Sequence, residues 1–332
     1  MNLIEPPDGR PWALIGLCAG SLLLNALLAI RLVTMDAPSA EEASPTPAEV
    51  VAAVEAPAPA AAPMQAAVQS LPDVQVVRAP LTGSFAATFA AAAPKDHAEV
   101  LTAVYNRLFM WDVDVRKDLQ PGDLIEVAYE WDGPSTRIPV AAFTSQKLGK
   151  RMLAYAYRAA GDEHASWWDE TGREVPYRLV DGPMAQYEQI TSLVRDGRGH
   201  HGMDFKAPEG TPVTSPRGGK VIRVNWNHTY NGNCVELQQP DGSIARFLHL
   251  SRTDVEAGQT LAAGAALGLS GNTGRSTAPH LHYEIEKNGR IVDPRDAHGV
   301  VRRVLPETEL AAFAAERARL DATLNVGLQA KL

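Results

Sequence analysis

Three short stretches of the chain gather side chains able to hold a metal ion or move a proton. They are His200-His201-Gly202-Met203-Asp204, Phe247-Leu248-His249-Leu250 and Pro279-His280-Leu281-His282-Tyr283-Glu284. In the third, strand periodicity places His280 and His282 on one face and turns Leu281 to the other. The second ends an alternating run, Ile244 to Leu250, from which His249 can face the same groove. The first offers an imidazole and a carboxylate on a glycine-containing turn, with His201 competing with its neighbour His200. Imidazole plus carboxylate without thiolate suits Zn²⁺. Catalytic zinc takes three protein ligands, so five candidate groups exceed its need. The surplus is what a hydrolase requires, because zinc brings bound water to a pKa of about 7 and histidines beside it accept the proton. A lone histidine is more often a core or surface residue. The metal reading rests on all three fragments in order, with Gly271-Asn272-Thr273-Gly274 before the last pair.

The elements that must position these groups read as short strands joined by tight turns. Lys220–Val224, Cys234–Leu237, Ile244–Leu250 and His280–Glu286 are the predicted strands. Pro240-Asp241-Gly242 and Asn288-Gly289 are hairpin turns between them. The pattern predicts an antiparallel sheet domain from about Gln189 to Pro294. Cys234 reads as a small buried apolar residue of one strand, and His228 and His298 as surface residues. After Pro306, Leu310, Phe313, Arg317, Leu320 and Leu324 mark a final amphipathic helix docking on the body.

Composition bounds the alternatives. Of 332 residues, 45% are hydrophobic and 21% charged, which excludes a wholly disordered or fibrous chain. A net charge of −8 excludes an electrostatic nucleic-acid binder. Cys18 and Cys234 are too few for a disulfide framework or a thiolate zinc module.

Upstream, Trp12–Ile30 is an uncharged run, at 1.5 Å rise per residue just long enough to cross a hydrocarbon core of about 30 Å. It exceeds a usual signal-peptide core and no clean Ala-x-Ala site follows, which favours an uncleaved anchor. Asp36–Ser70 is rich in Ala and Pro with acids and no base, and reads as an extended tether. From Pro72 to Gly182 the composition predicts a small α+β domain without a cluster of chemical groups. Asp96-His97-Ala98-Glu99 reads as a capping box, with Val100, Leu101, Val104 and Leu108 on one helix face. Leu124–Tyr129 and Met152–Tyr157 alternate as strands, and Glu170-Thr171-Gly172-Arg173 is a hairpin tip. His97 and His164 stand alone as surface residues.

The chemical stretches, with Gly202–Val213 and Gly271–Glu284 around them, resemble the LytM/lysostaphin family of zinc endopeptidases that cut bacterial peptidoglycan. The resemblance covers about Ile190 to Pro294. It implies a half-open antiparallel sheet, His200, Asp204 and His282 as ligands of one zinc, and His249 and His280 as the residues handling water and oxyanion. Trp111–Asp114, Asp118–Asp123 and the Ala-rich terminal helix resemble the membrane-anchored Gram-negative branch, which cleaves D-Ala–diaminopimelate crosslinks. The family usually carries an Arg- and His-Pro-containing loop before the first ligand. Here Ile190-Thr191-Ser192 is followed almost at once by His200, which implies a shortened groove rim.

The expected organisation is an N-terminal tail (1–11), a transmembrane anchor (12–33), an acidic linker (34–71), an α+β accessory domain (72–185), a mainly β zinc peptidase domain (186–300) and a C-terminal helix (301–332). The implied location is the bacterial inner membrane, single-pass, with the catalytic domain in the periplasm. The implied partners are peptidoglycan as substrate, the inner membrane, and a regulatory protein. Rival readings are a non-catalytic LytM-like activator of another cell-wall hydrolase and a zinc peptidase of proteins or glycine-rich peptides. The accessory region Leu81–Gly182 is expected either to pack over the groove, with Asp112, Asp114 or a polar group of the helix after Asp96 near the metal, or to act only as a spacer or glycan binder.

Overall fold

Alternating apolar residues in the first part build a five-stranded antiparallel sheet. The computed structural model describes residues 74–195 and 199–329, so the apolar span at Trp12–Ile30 and the Ala/Pro-rich tether lie outside the described residues. Strands β1 (Gln75–Pro80), β2 (Leu124–Glu130), β3 (Arg137–Ser145), β4 (Lys150–Tyr157) and β5 (Ser166–Trp168) pair in sequence order. Helices α1 (Phe85–Ala92) and α2 (Ala98–Phe109) cover one face, where Phe85, Phe89, Tyr105 and Phe109 bury against Ile125, Val127 and Phe143. Edge-on contacts such as Phe85–Phe143, at 5.2 Å between centroids, suit the ring quadrupoles.

The alternation of β2 predicts one wet face, but five of its seven residues are buried on both sides. The terminal helix is the cause. It runs as α5 (Glu307–Gln329) and lays Phe313, Leu320 and Leu324 on Ala128, Val140 and Tyr155, so it docks on this first sheet. The Tyr155 hydroxyl donates to Asp321 at 2.7 Å.

Two upstream expectations need correction. The capping box does not form: His97 occupies the N-cap without a side-chain capping bond. Its ring is buried, stacked at 3.5 Å on Trp131, and Nδ1 bonds the Tyr129 hydroxyl, so it is no surface residue. The flat ring satisfies its polar atom against Tyr129 and covers apolar area, which outweighs a cap in water.

The chain leaves this layer through β6 (Arg178–Leu179) and enters the second sheet. The strands that follow are β7 (Gln189–Ser192), β8 (Met203–Lys206), β9 (Pro212–Thr214), β10 (Gly219–Val224), β11 (Asn233–Gln238), β12 (Ile244–Leu250), β13 (Arg252–Thr253), β14 (Thr260–Leu261), β15 (Ala266–Leu269), β16 (His280–Lys287) and β17 (Arg290–Val292). The main sheet runs β14-β10-β11-β12-β16-β8-β7, with β17 on β16 and a small sheet β13-β15-β9 beside it. Short helices α3 (His228–Asn231) and α4 (Pro294–His298) flank it, and β18 (Val300–Val301) returns antiparallel to β6. Asn288 and Gly289 both have positive φ, the requirement of the tight turn joining β16 and β17. Cys234 is fully buried as expected. His298, expected at the surface, is buried and bonds the Tyr283 hydroxyl through Nε2 at 2.8 Å, because α4 folds back onto β16.

The outgoing and returning segments are tied at the fully buried carboxylate of Glu174. Arg178 makes three hydrogen bonds to it and Arg303 two, and Arg303 also forks onto Asp162. Burial opposes ionisation of Glu174, but the two guanidinium groups outweigh it and hold the carboxyl down to about 2.

Candidate metal centre

Antiparallel register delivers the site. Asp204 on β8 lies directly opposite His282 on β16, while Leu281 and Tyr283 point into the core. His280 and His282 therefore share the groove face, as strand period requires. His200 enters from the loop before β8. Gly202 in that turn has no room for a side chain: a Cβ there would lie 2.7 Å from His282 Nε2 and 2.6 Å from the Tyr283 carbonyl.

His249 reaches the groove by a different route. Ala245 and Phe247 face the core, and strict alternation would send His249 there too. Between β11 and β12 the pairs are Asn233 with Leu250 and Val235 with Phe247, so β12 carries one extra residue. His249 sits in this bulge at φ +64°, and Leu250 takes the core position instead. The bulge thus re-aims His249. Its ring centroid lies 4.9 Å from that of His280 and 5.9 Å from that of His282.

Three ligand atoms converge. Asp204 Oδ1 is 2.8 Å from His282 Nδ1 and 3.1 Å from His200 Nε2, and the two nitrogens are 3.0 Å apart. His201 is exposed and outside this triangle. The outer ring nitrogens set the tautomers. His200 Nδ1 faces the Leu193 carbonyl at 3.1 Å, and His282 Nε2 faces Glu284 Oε1 at 2.9 Å; both partners only accept, so both nitrogens carry the proton. With neutral rings, three lone pairs then point at one another with no proton between them. That arrangement fits a cation, and two imidazoles with one carboxylate fit Zn²⁺.

The electrostatics agree. Burial works against ionisation of Asp204, yet the facing His200 and His282 hold its carboxyl far below the usual range. Burial lowers the His282 pKa, but hydrogen bonds to Asp204 and Glu284 outweigh it and raise it to about 9. Without a metal, a proton on His282 supplies the positive charge that the two carboxylates demand. A raised folded pKa stabilises below the unfolded value and is lost as pH rises through the folded value. Chelator-treated protein is therefore expected to lose on the order of 3 kcal/mol of stability between about pH 6.5 and pH 9. Zinc-loaded protein lacks this decline, since the metal occupies Nδ1. Thermal melts of both forms across that range check it; a flat metal-free profile contradicts it.

Two further imidazoles flank the triangle. His249 Nδ1–H donates to the Thr273 carbonyl at 2.9 Å, and His280 Nδ1–H to the Ala278 carbonyl at 2.8 Å. Each is left with an unprotonated Nε2; that of His280 lies 3.8 Å from Asp204 Oδ1. Burial lowers the pKa of His249 to about 4, so the ring is neutral at neutral pH and its Nε2 carries no proton.

Glu284 stands behind His282, a placement to which the sequence alone assigns no role. It bridges His282 to Arg246, which also binds Glu236 and Glu286 across the sheet face. The available signal was its place two residues beyond His282, hence on the same strand face. The Leu193 and Thr273 carbonyls carry no sequence signal. Glu284→Ala is expected to weaken zinc affinity by about 10- to 100-fold while the chain stays folded. Competition with a zinc indicator measures it; unchanged affinity removes Glu284 from the ligand scaffold.

The groove opens beside the end of α2. A cleft of about 900 Å³ is lined by Asp204 and His280 on one side and by Asn106, Arg107 and Trp111 on the other. Asp112 and Asp114 also line it, but neither belongs to the ligand triangle. Asp112 is paired with Arg302 at 2.6 Å and Asp114 with Lys117 at 3.0 Å, so local cations hold both carboxylates.

Comparison with known proteins matches residues 198–294 to peptidase family M23. Peptidoglycan DD-endopeptidase ShyA of Vibrio cholerae is 32% identical over 64% of this chain and 51% of its own length. Peptidoglycan DD-endopeptidase ShyB of the same organism is 32% identical over 65% of this chain and 53% of its own. A solved zinc-containing peptidase from Vibrio cholerae is 26% identical, covering 70% of this chain and 71% of that one, with a TM-score of 0.33. The chain spans about half the length of the curated relatives it matches. Over residues 198–294, around a zinc site, the chain carries a LytM-type domain of peptidase family M23.

Proposed function

We propose that this protein is a zinc-dependent endopeptidase that hydrolyses peptide crosslinks of bacterial peptidoglycan, at the D-Ala–meso-diaminopimelate bond. The observation that carries the reading is the convergence of three lone-pair donors with two further imidazoles beside them. His200, Asp204 and His282 hold zinc, which when bound supplies Lewis-acid activation of water and carbonyl near neutral pH. His249 accepts the proton of the attacking water at Nε2. His280, protonated at Nε2 from solvent before the attack, presents that N–H to the oxyanion, and the proton that His249 took from water passes to the leaving amine. A non-catalytic activator needs none of these groups to converge.

The protein is held at the inner membrane by Trp12–Ile30, with the Ala/Pro-rich tether carrying the catalytic domain to the wall in the periplasm. Support comes from the apolar length of that span and from the substrate, which lies outside the cytoplasmic membrane. The domain before the peptidase restricts the groove. Its support is the cleft wall formed by Asn106, Arg107 and Trp111, held by the Asp112–Arg302 ion pair.

The test is mass spectrometry of purified peptidoglycan incubated with the full chain, with zinc and after chelation. Crosslinked dimers convert to monomers only with zinc. Hydrolysis that appears only when a second cell-wall hydrolase is added identifies an activator instead. In the same assay Asp112→Ala, which frees the cleft wall from Arg302, is expected to raise the rate; an unchanged or lower rate with zinc retained removes the restricting role.

A further inference from the structure

We infer that Thr273 is the positioning residue that sets the tautomer and ring placement of His249, a role that rests on the reading of His249 as the proton acceptor. The extra residue in β12 interrupts the ladder next to His249, and the Thr273 hydroxyl bridges the interruption. Its Oγ1 accepts from the Asn233 N–H at 2.9 Å and donates to the Leu250 carbonyl at 2.7 Å. Asn233 and Leu250 are register partners on the two strands flanking the bulge. The carbonyl of the same residue accepts from His249 Nδ1–H at 2.9 Å. One residue therefore ties both strands and fixes the proton on the ring nitrogen away from the groove.

The surroundings leave Thr273 one place to sit. A Cβ on Gly232 would lie 2.1 Å from Thr273 Oγ1, and one on Gly274 would lie 2.2 Å from the Gly232 nitrogen. The loop is thus pressed backbone to backbone against the turn at α3, where Arg275 N–H also donates to the Tyr230 carbonyl at 3.0 Å. His249 holds φ +64°, a conformation that a non-glycine residue keeps only when its surroundings enforce it. If Thr273 is replaced by Val, the shape is kept while Asn233 N–H and Leu250 C=O lose their partner. The strand ends can then relax, the Thr273 carbonyl moves from Nδ1, and His249 is free to take the tautomer with the proton on Nε2, which cannot accept one there.

The experiment uses the full zinc-loaded chain with peptidoglycan as substrate. Thr273→Val is expected to lower kcat by about 10- to 100-fold with KM and zinc content changed by less than about twofold, and Thr273→Ser to restore most of kcat. Long-range ¹H–¹⁵N NMR of histidine-labelled protein reads the tautomer directly, with His249 assigned by its loss in His249→Gln. Wild type and Thr273→Ser show the Nδ1–H form, and Thr273→Val shows a shift to Nε2–H. If Thr273→Val does not fold, Thr273→Ala carries the same expectations. An Nε2–H tautomer in wild type, or Nδ1–H retained in the Val or Ala variant, overturns the assignment. So does a kcat lost equally in Thr273→Ser. Wild-type protein that hydrolyses nothing defeats the proposed activity, while the tautomer measurement still decides the role of Thr273.

Discussion

Replacing Asp204 with Ala is expected to remove tightly held zinc and to lower the proposed hydrolysis of peptidoglycan peptides by about a thousandfold or more, equivalent to about 4 kcal/mol of barrier. The reason is geometric. Asp204 Oδ1 is the one anionic atom of the triangle and is within 3.1 Å of both imidazole nitrogens. Without it two neutral rings remain, too weak a ligand set for a divalent ion against water. His200→Ala and His282→Ala carry the same expectation, since each removes one of three ligands. Metal analysis of the purified variants beside the digestion assay checks it. If His282→Ala retains zinc while His280→Ala loses it, the ligand assignment is reversed.

His249→Ala and His280→Ala are expected to behave otherwise. Both rings lie beside the triangle with Nδ1 committed to a backbone carbonyl, so zinc stays while turnover falls by about 10²- to 10⁴-fold. KM moves little, because the groups act on the proton in flight more than on the bound substrate. Zinc content near one per chain with kcat collapsed is the expected signature. A variant that keeps wild-type kcat has no part in proton transfer.

Much of the site was legible in the sequence for a simple reason. His280 and His282 share a face because strand side chains repeat every two residues, and Asn288-Gly289 supplies the turn that closes the hairpin. The run Ile244–Leu250 forms a strand with those bounds, and the order of the three His/Asp fragments carried the family resemblance.

Other features depended on contacts distant in sequence. Alternation alone sends His249 into the core; a bulge defined by its pairing with β11 turns it into the groove. Neither His97 nor His298 reads as buried from its neighbours, because Trp131, just past β2, and Tyr283 of β16, which enclose them, come from segments distant in sequence. The terminal helix advertises an apolar stripe without naming its partner, and it returned to the first sheet, making β2 a two-sided core strand. Local periodicity determines which residues share a face, since it is written in backbone geometry. Which face meets which, and whether a backbone carbonyl stands behind a groove-facing ring, is settled only when distant segments pack together.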